Sequence, residues 1–164
     1  MKIRKGTIKD VEKIWDLEVE SRKYHKKLTD KKYSLLNKSN IDKKARTDFI
    51  KDYTKDLKKK ARKIIFLVAE EKGKIIGYII GIDGKWDWSD NPPRALRIWD
   101  LEVLQKYRKK GIGTKLIKEL EKISKQKGIK FLSLNVWKKN KPALRIYTKN
   151  RFDLFSHEMI KKLK

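Results

Sequence analysis

Between two stretches that read as strands, ALRIWDLEV at 95 to 103 and FLSLNVW at 131 to 137, lies a basic, glycine-containing turn, QKYRKKGIG, that runs straight into the amphipathic stretch TKLIKELEKISKQKG. The first strand is β-branched and aromatic enough to be buried. In the amphipathic stretch Ile112, Leu116, Ile117, Leu120 and Ile123 recur at helical spacing, and Gly128 sits where a helix would stop. The order is therefore strand, turn, helix, strand. A turn at a helix start gathers unpaired backbone N–H groups and the positive end of the helix dipole, so Arg108 to Thr114 reads as an anion site. Glycine at 111 and 113 lets a phosphate approach the main chain with no Cβ in the way, and Arg108, Lys109 and Lys110 add positive charge.

After the second strand, NKPALRIYTKNRF places Asn140 and Pro142 at a helix start, Ala143, Ile146 and Tyr147 on one side, and Phe152 beyond the exit. Three linked elements then agree with a known pattern. These are Val103 before Arg108, the R-x-x-G-x-G reading of Arg108 to Gly113, and the N-x-x-A-x-x-x-Y reading of Asn140 to Tyr147. On these residues the chain resembles the GNAT superfamily of acyl-CoA-dependent N-acetyltransferases, and the N-terminal IRKGTIKDVEKIWDLE looks like that family's first strand and helix. The family often has Gly before the Phe that follows the tyrosine helix. Here Arg151 precedes Phe152, and Asn150 is expected to take the left-handed turn conformation itself.

The resemblance implies an α+β fold, a GNAT-like mixed, mostly antiparallel twisted sheet of about six to seven strands flanked by about four helices. A strand is expected near 2 to 6, a helix over 8 to 26, and a second helix over 41 to 62, where Ile41, Ala45, Phe49, Tyr53, Leu57 and Ala61 form a core stripe. Strands at 63 to 70 and 74 to 82, joined through Glu71, Lys72 and Gly73, suggest an antiparallel hairpin. The remaining expectations are strands at 95 to 103 and 130 to 137, a helix at 141 to 149, and two short strands near 152 to 162.

The resemblance also implies that acetyl-CoA binds with its diphosphate on Arg108, Lys109, Lys110, Gly111, Ile112, Gly113 and Thr114. Pantetheine would lie like an added strand against the main chain around Leu101 to Val103, an amide of which faces the thioester oxygen. Tyr147 matches the family's general acid, whose phenol is protonated at neutral pH and can donate to the departing sulfur; the alternative is a buried tyrosine that packs its helix. Asn140 contacts CoA, caps its helix, or both. Asp100 and Glu102 lie two apart on the entering strand and share a face. Either is a candidate general base, acting through water; the alternatives are a salt bridge with Arg94, Arg97 or a lysine, and a site with no dedicated base, where positive surroundings lower the amine's pKa.

The loop DGKWDWSDNPPR at 83 to 94 is acidic and aromatic in an otherwise basic chain. Trp86, Asp87, Trp88 and Asp90 are the substrate-binding candidates there, suited to a cationic amine. The competing reading is a tryptophan that caps the core beside aspartates that form turns.

Composition limits the alternatives. A chain of 164 residues with no proline- or serine-rich linker is most simply one domain. With no cysteine it has no thiolate metal site or cysteine nucleophile, and its two histidines, His25 and His157, offer no ligand pair and read as ordinary side chains, so no metal is expected. Apolar runs such as IIFLVA are too short for a membrane span, and MKIRKG lacks a secretion signal's apolar region, which predicts a cytoplasmic protein with no membrane partner. The net charge of +25 favours capture of anionic CoA. It also leaves open a nucleic-acid or ribosomal surface, although the lysines are spread as on a solvated face, a pattern also seen in heat-adapted proteins. A homodimer is left open.

The expected activity is acetyl transfer to a primary amine, on a protein N-terminus or lysine in preference to a polyamine or aminoglycoside that the positive chain would repel. The rival is a noncatalytic acyl-CoA-binding or nucleic-acid-binding module on the same fold.

Overall fold

The computed structural model describes residues 1–31, 33, 40–59, 63–85 and 92–161. Its strands are β1 (Lys2–Lys5), β2 (Lys63–Glu71), β3 (Lys74–Lys85), β4 (Arg94–Val103) and β5 (Phe131–Ser133), hydrogen-bonded in chain order as one sheet. The first three junctions are antiparallel, and β5 joins β4 in parallel. The helices are the single turn α1 (Ile8–Val11), α2 (Trp15–Leu28), α3 (Lys43–Lys58), α4 (Ile112–Gln126) and α5 (Lys141–Lys149). The class is α+β as the sequence predicts.

The sheet has five strands among the described residues, fewer than expected. The two strands predicted near 152 to 162 are not formed over the described part of that segment, Phe152 to Lys161. Beyond Phe152 its apolar residues come in adjacent pairs, Leu154–Phe155 and Met159–Ile160, which a pleated strand would point to opposite faces, and all four are exposed. The helix predicted over 8 to 26 is split: a 3-10 turn at Glu12–Ile14 separates α1 from α2. The second helix is shorter than its stripe, because Asp42 ends it by accepting from Ala45 N at 2.7 Å. Ile41 is left exposed, and Ala61 lies outside the described residues. The β2–β3 hairpin turns through Lys72 and Gly73, both at positive φ, as a two-residue turn matched to strand twist requires.

Two packed layers cover the sheet. A Cβ on Gly81 would meet Leu96 and Leu120, and one on Gly77 would meet Val103 and Ile112, so α4 lies on the face carrying Gly77, Gly81, Leu96, Leu101 and Val103. The opposite face carries Tyr78, Asp100 and Glu102, whose side chains meet α2 and α3. Core side chains fill both layers, with Leu116, Ile117 and Leu120 on α4 and Leu17 and Phe49 on α2 and α3. Asp10 fastens the N-terminus: it accepts from both Arg4 Nη atoms, at 2.8 and 2.9 Å, and from Thr7 N at 2.8 Å. The Arg4 guanidinium holds that carboxyl well below its ordinary range.

One irregularity decides what β4 presents. Ile80 pairs with Asp100 but the next residue, Gly81, pairs with Ile98, so Trp99 is an extra residue, a β-bulge. Before the bulge the even-numbered Leu96 faces α4; after it the odd-numbered Leu101 and Val103 do. The bulge therefore turns Asp100 and Glu102 to the α2–α3 side.

Candidate active site

β4 and β5 stay together for three pairs only, from Ala95↔Phe131 to Arg97↔Ser133, and then part. The strand predicted over 130 to 137 is thus cut to Phe131–Ser133. Beyond Arg97, β4 is bonded on one side alone. Leu104 N donates to Ile76 O at 3.0 Å, and strand alternation then turns the N–H and C=O groups of Leu101 and Val103 to the edge away from β3. Val103 O accepts there from Arg108 Nε at 2.8 Å. A free main-chain edge around Leu101 to Val103 is what an added extended ligand needs.

That edge leads into the turn before α4. Lys109 and Gly111 both have left-handed backbones, with φ of 62° and 75°. Gly111 caps the helix, and its carbonyl accepts from Lys115 N at 3.0 Å. The N–H groups of Ile112, Gly113 and Thr114 therefore have no carbonyl of their own helix to bond. Gly113 is needed for a second reason: its Cβ would stand 2.6 Å from Ile146 Cδ1, so α4 and α5 approach each other through its missing side chain. The turn's cations are not all free. Arg108 is engaged with Val103 O, and Lys110 lies 5.4 Å from the centroid of Tyr107. Thr114 Oγ1 accepts from Asn150 Nδ2 at 3.4 Å.

α5 brings Tyr147. Asn140 caps this helix, its buried side chain accepting from Ala143 N at 3.2 Å. At the other end Phe152 N donates to Tyr147 O at 3.1 Å and Arg151 N to Thr148 O at 3.0 Å, a Schellman closure. The left-handed residue is Arg151, φ 62°, and not Asn150 as expected, because in this closure the residue after the cap makes the turn. No acceptor for the Tyr147 hydroxyl is found among the described residues. Burial, and then the charges of Glu102 and Asp100, push its ionisation up, so the phenol stays protonated.

Across from it lies a partly buried carboxylate group. Glu102 Oε1 accepts from Ser21 Oγ at 2.6 Å, and Asp100 accepts from the Tyr53 hydroxyl. Glu18, held by Arg22 Nε at 2.6 Å, accepts from Tyr78 Oη at 3.2 Å. Burial pushes Asp100 up to about 7, with Glu18 adding to the rise and the Tyr53 hydrogen bond opposing it. Burial likewise pushes Glu102 up to about 8, against the Ser21 bond, with Asp100 and Glu18 adding. The salt bridges considered as their alternative are absent among the described residues. Arg94 is committed to Asp83 at 2.6 Å, and Arg97 lies 5.8 Å from the centroid of Trp99.

Of the sequence candidates, the free β4 edge, the turn, Asn140, Tyr147 and the two carboxylates thus belong to neighbouring elements. Trp86, Asp87, Trp88 and Asp90 lie outside the described residues. Sequence reasoning missed Glu18, Ser21, Tyr53 and Tyr78, and His25, read as an ordinary side chain, has its Nδ1 3.4 Å from Ser21 Oγ. One signal was available: Glu18, Ser21 and His25 fall on one face of α2.

Strand, phosphate-type turn and tyrosine helix define an acyltransferase architecture, and comparison with known proteins agrees. Residues 29–152 match the model of the Acetyltransferase (GNAT) family. The chain belongs to that family, whose enzymes use acetyl-CoA. It is 35% identical over 83 residues to the N-terminal acetyltransferase complex ARD1 subunit homolog of Dictyostelium discoideum, a match over 50% of this chain and 38% of that protein. The chain thus spans well under half of that relative's length. Among solved structures, a mutant of the BH1408 protein from Bacillus halodurans superposes with a TM-score of 0.85 at 21% identity, over 100% of both chains. A "predicted acetyltransferase" of Clostridium acetobutylicum, solved with acetyl-CoA, gives 0.66 at 18%, over 98% of this chain and 95% of that one. Among the described residues no helix is long and apolar enough to cross a membrane.

Proposed function

We propose that this chain, acting as one domain, transfers the acetyl group of acetyl-CoA to a primary amine, with a protein N-terminus as the favoured acceptor. The observation that carries this reading is the parting of β4 from β5. It leaves a main-chain edge that runs into the amide-rich start of α4 and is flanked by Tyr147 and by two carboxylates of raised pKa. The residues suit the group: an extended arm along Leu101 to Val103, a diphosphate at Gly111 to Thr114, and Asn140 as cap and as a polar neighbour of CoA. Bound there, acetyl-CoA supplies an activated thioester carbonyl.

The side chains supply proton handling and orientation. Glu102 takes a proton from the incoming ammonium, directly or through one water, and leaves the neutral amine as nucleophile. We assign the base to Glu102, which adjoins Val103 on the strand edge, over Asp100, which is engaged by the Tyr53 hydroxyl. A main-chain amide near Val103 holds the developing oxyanion, and the Tyr147 phenol donates to the sulfur as it leaves. Because a thiol is more acidic than a phenol, this donation assists departure more than it completes a proton transfer.

Two considerations favour a protein terminus. A +25 chain repels free polycations, whereas one α-ammonium is drawn to Glu18, Asp100 and Glu102. The name of the Dictyostelium relative points to N-terminal acetylation as well. Release of CoA thiol from acetyl-CoA, measured with Ser-, Ala- and Met-initiated peptides, an N-blocked lysine peptide, spermidine and an aminoglycoside, tests the reading. Fastest turnover is expected with a free peptide N-terminus. Acetyl-CoA binding without release on any amine would make the chain a noncatalytic binding module.

A further inference from the structure

The deepest polar link in the carboxylate group does not end at Glu102. Ser21 is buried on α2, and its hydroxyl donates to Glu102 Oε1 at 2.6 Å. A serine hydroxyl has one hydrogen, and here Glu102 takes it, so Ser21 Oγ faces every other neighbour as an acceptor. His25 Nδ1, one turn further along α2 and 3.4 Å away, is such a neighbour. With Glu102 ionised, the ring then carries its proton on Nδ1 and donates. The two bonds point one way, from His25 through Ser21 to Glu102.

We propose that Ser21 and His25 are positioning residues for Glu102: a chain of donors that fixes one carboxylate oxygen, leaves the other for the incoming amine, and favours the ionised carboxylate against surroundings that oppose its charge. This deepens the transferase reading and rests on it. The opposing surroundings are specific. Asp100 on β4 and Glu18 on α2 repel a charge on Glu102, and Tyr78 of β3 is its cross-strand partner. Tyr147 on α5 is within electrostatic reach, Tyr53 on α3 is engaged by Asp100, and Arg108, after β4, favours the charge. Among these neighbours Ser21 gives Glu102 its direct hydrogen bond.

His25 suits its part because its surroundings favour the neutral ring. Burial lowers its pKa and Arg108 lowers it further, while Glu18 opposes; Tyr24 adjoins the ring, with centroids 6.1 Å apart. A neutral ring donates from Nδ1 and adds no full charge that would pull the carboxylate away from the amine.

The test follows the Glu102 carboxyl by carbon-13 NMR in protein labelled at glutamate carboxyls, with the resonance assigned through Glu102→Gln. A hydrogen bond to a charged group contributes about 1.5–3 kcal/mol, so Ser21→Ala should raise the titration midpoint by about one to two pH units. His25→Ala should move it the same way by less, and Ser21→Thr, which keeps the hydroxyl, should move it little. In kinetics with the fastest peptide of the panel, the acid limb should shift with the midpoint and high-pH turnover should fall in part as the carboxylate loses its fixed orientation, both restored in Ser21→Thr, while KM for acetyl-CoA and the melting temperature stay near those of the unaltered protein. An unmoved midpoint in Ser21→Ala overturns the donor chain and leaves Glu102 standing as base. A midpoint that moves while the acid limb stays fixed supports the chain and overturns Glu102 as the base.

Discussion

Phe152 closes on Tyr147 twice: its amide donates to the Tyr147 carbonyl at 3.1 Å, and its ring meets the tyrosine ring edge-on at 5.6 Å between centroids. The ring is thus held by packing, while the hydroxyl has no hydrogen-bond partner among the described residues. Tyr147→Phe keeps the first and removes the second. Turnover should fall about 10²-fold while melting temperature and acetyl-CoA affinity are kept. Kinetics beside a thermal melt check this, and a loss that merely tracks melting would make the phenol structural.

The same closure stores strain at one position. Arg151 holds a left-handed backbone, which a residue with a Cβ adopts at a cost of about 1 kcal/mol or more. Arg151→Gly should therefore stabilise the protein by about 1 kcal/mol, seen as a melting temperature a few degrees higher with turnover unchanged. A lower melting temperature would mean that the arginine side chain contributes more than its backbone costs.

Gly113 serves two neighbours, and they can be separated. Gly113→Ala places its Cβ against Ile146 Cδ1, and Ile146→Val removes that atom. The double variant should regain the thermal stability lost in Gly113→Ala but not the acetyl-CoA affinity, which falls about tenfold if the diphosphate lies against the same Cα. Calorimetry should show Lys118→Ala, on the exposed face of α4, with near-normal affinity. Recovery of affinity in the double variant would place the phosphates elsewhere.

Stability should pass through a maximum in mildly acidic solution. Asp100 and Glu102 have raised pKa values, so their contribution is complete below the ordinary carboxylate pKa and is lost as pH rises toward about 7 and about 8. Asp10 is depressed, so its contribution is present above the ordinary value and is lost as pH falls below it. Thermal melts should show a declining melting temperature from pH 5 to pH 8.5. The Asp100→Asn, Glu102→Gln double variant should flatten that decline, and an unchanged slope would remove these carboxylates as its cause.

The sequence made the turn, α4, α5 and the β2–β3 hairpin readable because each is decided locally, by a helical stripe, a capping residue or a Lys72–Gly73 turn. Asp100 and Glu102 were found as a pair for the same reason. Their partners were not, because Tyr53 lies 47 residues from Asp100 and Ser21 lies 81 from Glu102, and only packing of α2 and α3 on the sheet brings them together. The stripe on α3 assigned Tyr53 to the core correctly but could not see that its hydroxyl ends on a carboxylate. The length of β5 was hidden too: Leu134 to Trp137 look as strand-like as Phe131 to Ser133, and what ends the strand is the departure of β4.

Trp99 gives β4 an inserted beat. Upstream of it the side of the strand that faces α4 falls on even numbers, and downstream on odd ones, so the rhythm of tolerance to substitution along these ten residues carries a phase slip. Deleting that single tryptophan would restore an unbroken rhythm, and it would do so by driving Asp100 and Glu102 into the apolar layer under α4 while turning Leu101 and Val103 toward the carboxylate side. A residue that joins none of these hydrogen bonds thereby determines on which side of the sheet the two carboxylates stand.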